Sequence, residues 1–225
     1  MPNHRCHVYL AGDSTMQTYS LQDGRQAGWG QFIAEYFHPS VTFYNYAIGG
    51  RSTKTFIEEG RLANILSEIE AGDYLFVQMG HNDSTKERPA RYTEPYQDYK
   101  QYLRQYVEGV RSKGAVPILI TPVARLHYVR GEFLADFGDY CNAMKEIAAE
   151  MQVDVMDLMQ ASIRYFTTIG YQAVMPFFMV SQNGDDHTHF TDVGASQIAR
   201  IVSEEVKKLS IPLSQYVKIS EKGVT

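Results

Sequence analysis

Four short stretches of the chain carry residue types whose combination suits acyl transfer. Ser14 lies in Gly12-Asp13-Ser14-Thr15, Gly50 in Gly49-Gly50-Arg51-Ser52, Asn82 in Gly80-His81-Asn82-Asp83, and Asp186 and His189 in Asp185-Asp186-His187-Thr188-His189. A serine hydroxyl becomes a useful nucleophile when a histidine takes its proton, a carboxylate orients that histidine, and N–H donors meet the oxyanion that forms at the attacked carbonyl. The stretches offer each part: the Ser14 hydroxyl in a tight turn, an Asp-x-x-His spacing that one loop can close, an unobstructed Gly50 N–H, and the Asn82 amide. Each has a bland reading when taken alone. Gly-Asp-Ser is a common turn because Asp and Ser hydrogen-bond nearby backbone, Gly49-Gly50 suits a bend, Asn82-Asp83 suits a cap, and His189 suits a loop beside a helix N-terminus. As four independent turns, their order and placement would be improbable.

The set works only if a fold gathers it. Apolar runs with β-branched and aromatic residues at 6–12, 42–49, 74–80, 116–123 and 153–158 read as five buried strands. Between them, Tyr99, Leu103, Tyr106 and Val110, then Tyr140, Met144, Ile147 and Met151, fall at helical spacing. A last helix starts after the N-cap residue Thr191, carries Ile198, Val202 and Leu209, and is expected to stop at Pro212. Strands alternating with helices predict a parallel sheet covered on both faces. Such sheets bind ligands beyond the carboxyl ends of their strands, where the first three stretches fall. No linker, repeat or charge block divides the sequence, which reads as one α/β domain over residues 1–225.

Composition narrows the function classes. With 225 residues and 44% hydrophobic content the chain is neither collagenous nor disordered, and its length can bury a core without a metal or disulfide staple. Lys and Arg number 21 against 26 Asp and Glu, a net charge of −5 that offers no broad basic field to nucleic acid. Cys6 and Cys141 are expected as free, buried thiols. The start, Met1 to His7, is polar and lacks the apolar stretch of a leader peptide, and no run approaches the roughly 20 apolar residues of a membrane helix. A cytoplasmic protein is expected, unless a leader once preceded this sequence.

Gly12-Asp13-Ser14, Gly50, Asn82 and Asp186-x-x-His189 match, in order, the four blocks of the SGNH hydrolases, which the chain resembles from about Val8 to Leu209. Tyr9-Leu10-Ala11-Gly12-Asp13-Ser14-Thr15-Met16, Gly28-Trp29-Gly30, Gly49-Gly50-Arg51-Ser52, Glu59-Gly60-Arg61 and Gly80-His81-Asn82-Asp83 look like the rhamnogalacturonan acetylesterase branch. The resemblance implies a flavodoxin-like three-layer α/β/α sandwich on a five-stranded parallel sheet, acting as a serine carbohydrate esterase without cofactor or metal. Ser14 would be the nucleophile, His189 the base and Asp186 its partner; the Ser14 and Gly50 N–H groups and the Asn82 side chain would form the oxyanion hole. The absence of Gly-x-Ser-x-Gly agrees with this, since that elbow belongs to a different hydrolase fold. The implied substrate is an acetylated rhamnogalacturonan oligosaccharide, imported if no leader exists, with acetylated xylan fragments as the alternative.

Galacturonate-rich substrates place carboxylates near the ester, and Arg suits them better than Lys. Arg51, beside Gly50, is the first candidate, with His81 and Arg125 as further substrate contacts; Arg88, Arg91, His127 and Arg130 occupy loops of the same region. Gly28-Trp29-Gly30 reads as packing rather than a sugar platform. Of two neighbouring histidines, His189 is favoured as base because a carboxylate adjacent to His187 can hardly turn back to that ring. Two rival readings remain at this level. A binuclear metallophosphoesterase would use Asp13, His81, Asn82, His187 and His189, although the expected second aspartate is replaced by Met16 and His81 precedes Asn82. A non-catalytic carbohydrate binder would have no need of Ser14, Asn82, Asp186 and His189 together.

Overall fold

A computed structural model describes residues 6–20, 22 and 24–218. Five strands form its central sheet: β1 (Cys6–Gly12), β2 (Val41–Asn45), β3 (Tyr74–Gln78), β4 (Val116–Ile120) and β5 (Asp154–Met156). Their order is β2-β1-β3-β4-β5, with every neighbouring pair parallel. This is the flavodoxin-like order, and its switch point lies at β1 and β3, where the chain leaves the sheet in opposite directions. β3 is buried along its whole length, as a central parallel strand between two helix layers must be.

On one side α1 (Thr53–Glu58), α2 (Arg61–Glu68), α3 (Lys100–Ser112) and α4 (Gly138–Met151) pack together. α5 (Leu158–Ile169) and α6 (Asp192–Val206) form a second group with the 3-10 turns Trp29–Gln31 and Ile33–Tyr36. The apolar residues at helical spacing face inward: Tyr99, Leu103, Tyr106 and Val110 are buried, as are Tyr140, Met144 and Ile147. Trp29 is fully buried, and its indole N–H donates to Gln78 Oε1 at 2.6 Å. It is a core residue that also ties its turn to the end of β3.

Several boundaries differ from expectation for identifiable reasons. β2 stops at Asn45, yet Tyr46 and Ile48 still donate to Leu10 and Gly12, carrying the chain beside β1 up to Gly49. β4 ends at Ile120, shortly before Pro122, which has no N–H to give a ladder. β5 is short because Asp157 already caps α5, its carboxylate accepting from Gln160 N. α6 begins after Thr191, whose Oγ1 accepts from Gly194 N, but it ends at Val206, well before Pro212, which instead opens a further 3-10 turn.

Cys141 is buried, whereas Cys6, expected to be buried, is only partly so because it opens the strand. Burial pushes the two thiols up to about 12 and about 11, which keeps them protonated and unreactive. Among the described residues no helix is long and apolar enough to cross a membrane. The polar lead-in expected at the start lies largely outside the described residues, in residues 1–5.

Candidate active site

The chain leaves β1 through a turn closed by its own aspartate. Asp13 O accepts from Met16 N and Gln17 N, while Asp13 Oδ1 accepts from Thr15 N at 2.9 Å and Thr15 Oγ1 at 2.8 Å. Gln78 Nε2 donates to the same Thr15 hydroxyl at 2.7 Å, pinning the turn to β3. Burial alone would raise the Asp13 carboxyl; the His81 ring and the Thr15 donors outweigh it and hold the group below the usual carboxylate range.

Ser14, held by this turn, meets the loop before α6. His189 Nε2 is 2.9 Å from Ser14 Oγ, and His189 Nδ1 is 2.8 Å from Asp186 Oδ2. The other Asp186 oxygen accepts from the backbone of Thr188 at 2.9 Å and of His189 at 3.0 Å. The Asp-x-x-His spacing is thus a self-closed turn that presents imidazole to its own carboxylate. Burial raises the Asp186 carboxyl, but these backbone donors and the His189 ring prevail and keep it low, so it is ionised at neutral pH. Phe190 and Thr191 then pair antiparallel with Ala27 and Gln26, which fixes the loop relative to the Ser14 turn.

Candidate donors line the same cavity as Ser14 and His189. Gly49 N donates to Gln17 Oε1, and Gly50 follows with φ +80, a left-handed conformation that an L side chain would strain. Asn82 Nδ2 donates to Arg51 O at 2.9 Å, which fixes the amide and leaves its second N–H available. Among the described residues neither Ser14 N nor Gly50 N has a protein acceptor. Ser14, Gly50, Asn82 and His189 line one cavity of about 680 Å³, a size suited to a small oligosaccharide segment. A proton path from Ser14 to His189 with an ionised carboxylate behind it, in a cavity also lined by Gly50 and Asn82, is the kind of arrangement that attacks an ester.

The other expected residues fare differently. His187 lies apart, in a smaller cavity with His127 and Asp136. Arg125 lines the main cavity, with its Nε donating to Thr188 Oγ1 at 2.8 Å. Arg51 does not line it: its Nε binds both Glu59 oxygens, at 3.1 and 3.0 Å, and its Nη1 donates to Gly49 O. Its carbonyl holds Asn82, while its side chain, expected to meet a substrate carboxylate, is turned to Glu59 and Gly49 instead. His81 lines the cavity, with Nδ1 facing Asp13 Oδ2 at 2.9 Å and Nε2 facing Val123 O at 3.0 Å. Both ring nitrogens are used within the protein. Among the described residues no three His, Cys, Asp or Glu side chains gather in a way that could hold a metal ion. Gln17, which orients Gly49, carried no signal in the sequence.

Asp83 has a structural part beyond simple capping of its own segment. Its carboxylate accepts from Thr53 N at 3.0 Å and from Thr93 Oγ1 at 3.0 Å, and also from Thr53 Oγ1, so it seats the start of α1 behind Gly50-Arg51-Ser52. Burial pushes this carboxyl up to about 6, against the threonine donors that lower it. A raised folded-state value means stability present in full below about pH 4 and lost as pH rises through about 6. Thermal unfolding from pH 4 to pH 7 is therefore expected to show the parent losing stability relative to Asp83→Asn; a parallel pair of curves would contradict the shift.

Residues 8–202 match the model of the GDSL-like lipase/acylhydrolase family. The chain is 54% identical to the "Probable rhamnogalacturonan acetylesterase YesY" of Bacillus subtilis, over 94% of this chain and 97% of that one. It is 36% identical to the rhamnogalacturonan acetylesterase RhgT of the same organism, over 96% and 95%. Among solved structures, YxiM of Bacillus subtilis aligns with a TM-score of 0.83 at 30% identity, covering 93% of this chain and 58% of that one. Axe2, an acetylxylan esterase from Geobacillus stearothermophilus, shares the fold with a TM-score of 0.66 at 15% identity, covering 88% and 93%. With the sheet order, the four sequence blocks and these relatives in agreement, the chain belongs to the GDSL-like (SGNH) lipase/acylhydrolase family, in its rhamnogalacturonan acetylesterase branch.

Proposed function

We propose that the protein is a carboxylic ester hydrolase that removes O-acetyl groups from rhamnogalacturonan oligosaccharides through an acyl-Ser14 intermediate. The observation that carries this reading is the unbroken line from Ser14 Oγ through His189 to Asp186, at 2.9 and 2.8 Å, opening on the Gly50 and Asn82 donors. The substrate class rests on the 54% identity to YesY and the 36% identity to RhgT.

Ser14 Oγ attacks the acetyl carbon while its proton passes to His189 Nε2, and the carbonyl oxygen takes the negative charge. That oxyanion is met by the N–H groups of Ser14 and Gly50 and by Asn82 Nδ2. His189, now imidazolium and held by ionised Asp186, returns the proton to the departing sugar oxygen. The C–O bond breaks, the sugar alcohol leaves, and the acetyl group remains on Ser14. Water then adds to the acyl carbon with His189 taking its proton, and the second collapse releases acetate and restores the serine hydroxyl.

Two measurements test this. An organophosphonate is expected to label Ser14 alone, read by peptide mass spectrometry, with activity lost in step; a label on another serine, or none on active enzyme, refutes the nucleophile. Acetate release from acetylated rhamnogalacturonan oligosaccharides is expected to exceed that from acetylated xylan fragments and to survive a chelator. A preference for xylan would refute the substrate class while leaving the chemistry intact.

A further inference from the structure

The Ser14 cavity holds a cation that the reaction scheme does not use. Arg91 lines it beside Thr85 and Gly50. Its Nη2 donates to Thr85 Oγ1 at 3.1 Å, while its Nε is buried with no hydrogen-bond partner. Its Nη1 sits 3.9 Å from the point that a Cβ on Gly50 would occupy. The guanidinium therefore stands over the oxyanion glycine with most of its fork unused.

Unlike six of the described arginines, it has no paired carboxylate among the described residues. Arg25, Arg51, Arg61, Arg104, Arg164 and Arg200 each form an ion pair with a carboxylate. Among the described residues none does so with Arg91 or with Arg125 across the same cavity lining. Burial, reinforced by neighbouring Arg88, pulls the Arg91 guanidinium below its ordinary range; the charges of Asp13 and Asp83 oppose this without touching it. Glu87 also lines the cavity, but it is exposed, where solvent and salt screen its charge. A guanidinium with unmet donors gains little from water once a ligand fills the cavity, and needs an acceptor from that ligand.

We propose that Arg91 is a specificity-determining residue of the site, binding a uronic acid carboxylate of the substrate close to the acetyl ester. The inference rests on the esterase reading above and assigns its discrimination to one side chain. An acidic neighbour satisfies the planar fork with charge-assisted hydrogen bonds. A neutral neighbour strands the same donors without water, so preference arises from penalty as well as attraction. Arg125, fixed by Thr188 one residue before His189, leaves a second set of donors for the same substrate.

The test compares kcat/KM for acetylated rhamnogalacturonan fragments bearing free carboxylates with the same fragments methyl-esterified at those carboxylates. The parent is expected to favour the free acids by about tenfold or more, as one charged hydrogen-bonding contact implies. Arg91→Gln should bring the ratio to within about twofold of one, and Arg91→Lys to an intermediate value, since charge remains without the fork. Arg104→Gln, which removes the same charge from the exposed side of α3, should keep the parent ratio. A parent ratio near one, or one that survives Arg91→Gln, overturns the proposal.

A second measurement needs no turnover and separates this proposal from the esterase reading. Calorimetry on Ser14→Ala should show galacturonate binding more tightly than galactose, and Ser14→Ala with Arg91→Gln should lose that difference. If no pectic fragment is hydrolysed but the difference appears and depends on Arg91, the substrate reading fails and the Arg91 assignment stands. If fragments are hydrolysed but the two sugars bind alike, the Arg91 assignment fails alone.

Discussion

His189→Ala is expected to lower kcat on an aryl acetate at pH 7 by about 10⁴-fold or more, whereas His187→Ala should lose less than about tenfold. The two residues are separated only by Thr188, so the contrast depends on where the loop sends each ring. His189 Nε2 reaches Ser14 Oγ at 2.9 Å, and its Nδ1 is fixed by Asp186 at 2.8 Å. His187 lines the neighbouring cavity with His127 and Asp136, and its carbonyl, which any residue would supply, accepts from Leu126 N. Without His189 the Ser14 proton has no acceptor as the carbonyl is attacked, and the leaving sugar has no donor. What remains is the oxyanion hole and substrate binding, which still act on water. His189 is partly exposed, so its truncation should leave thermal unfolding close to the parent. Comparable losses at both histidines, or restoration by added metal, would refute the serine mechanism in favour of a metal site.

Much of this site was legible because its parts are local in sequence. Asp186 and His189 lie three residues apart, and the turn that joins them is closed by Asp186 accepting the Thr188 and His189 N–H groups. The strand ends were legible from apolar runs, and the sheet order then brought Ser14, Gly50 and Asn82 together beyond β1, β2 and β3. The substrate contacts were not, because they depend on side chains competing for partners. Arg51 sits beside Gly50 as expected, yet the short α1 brings Glu59 back to it and its Nε is engaged there. His81 is claimed by Asp13 from another strand end and by Val123 from a third. Arg91 ranked with several loop arginines until the fold left it over Gly50 without a carboxylate. Proximity in sequence predicted location; availability required knowing every other partner.

Asn82→Ala should cost about 10²- to 10³-fold in kcat, roughly 2.7–4 kcal/mol of transition-state stabilisation, with KM changing by a few-fold at most. The carbonyl oxygen of a bound ester is nearly neutral, so an amide N–H gains little from it in the ground state. As Ser14 Oγ adds to the carbon, a full negative charge develops on that oxygen, and the same N–H becomes a charge-assisted donor in a site where little water competes. Asn82 is suited to this because its amide is fixed beforehand: one N–H already donates to Arg51 O at 2.9 Å, and the residue is 8% exposed. Alanine removes both bonds, so a structural loss must be separated from a catalytic one. Asn82→Asp makes that separation. It keeps the volume but replaces donors with a carboxylate facing both Arg51 O and the developing oxyanion, so its kcat should fall below that of Asn82→Ala. A purely structural role predicts instead that both variants lose activity in proportion to their drop in unfolding temperature. A KM effect with kcat preserved would make Asn82 a contact for the substrate's ground state, leaving the Ser14 and Gly50 N–H groups to hold the oxyanion alone.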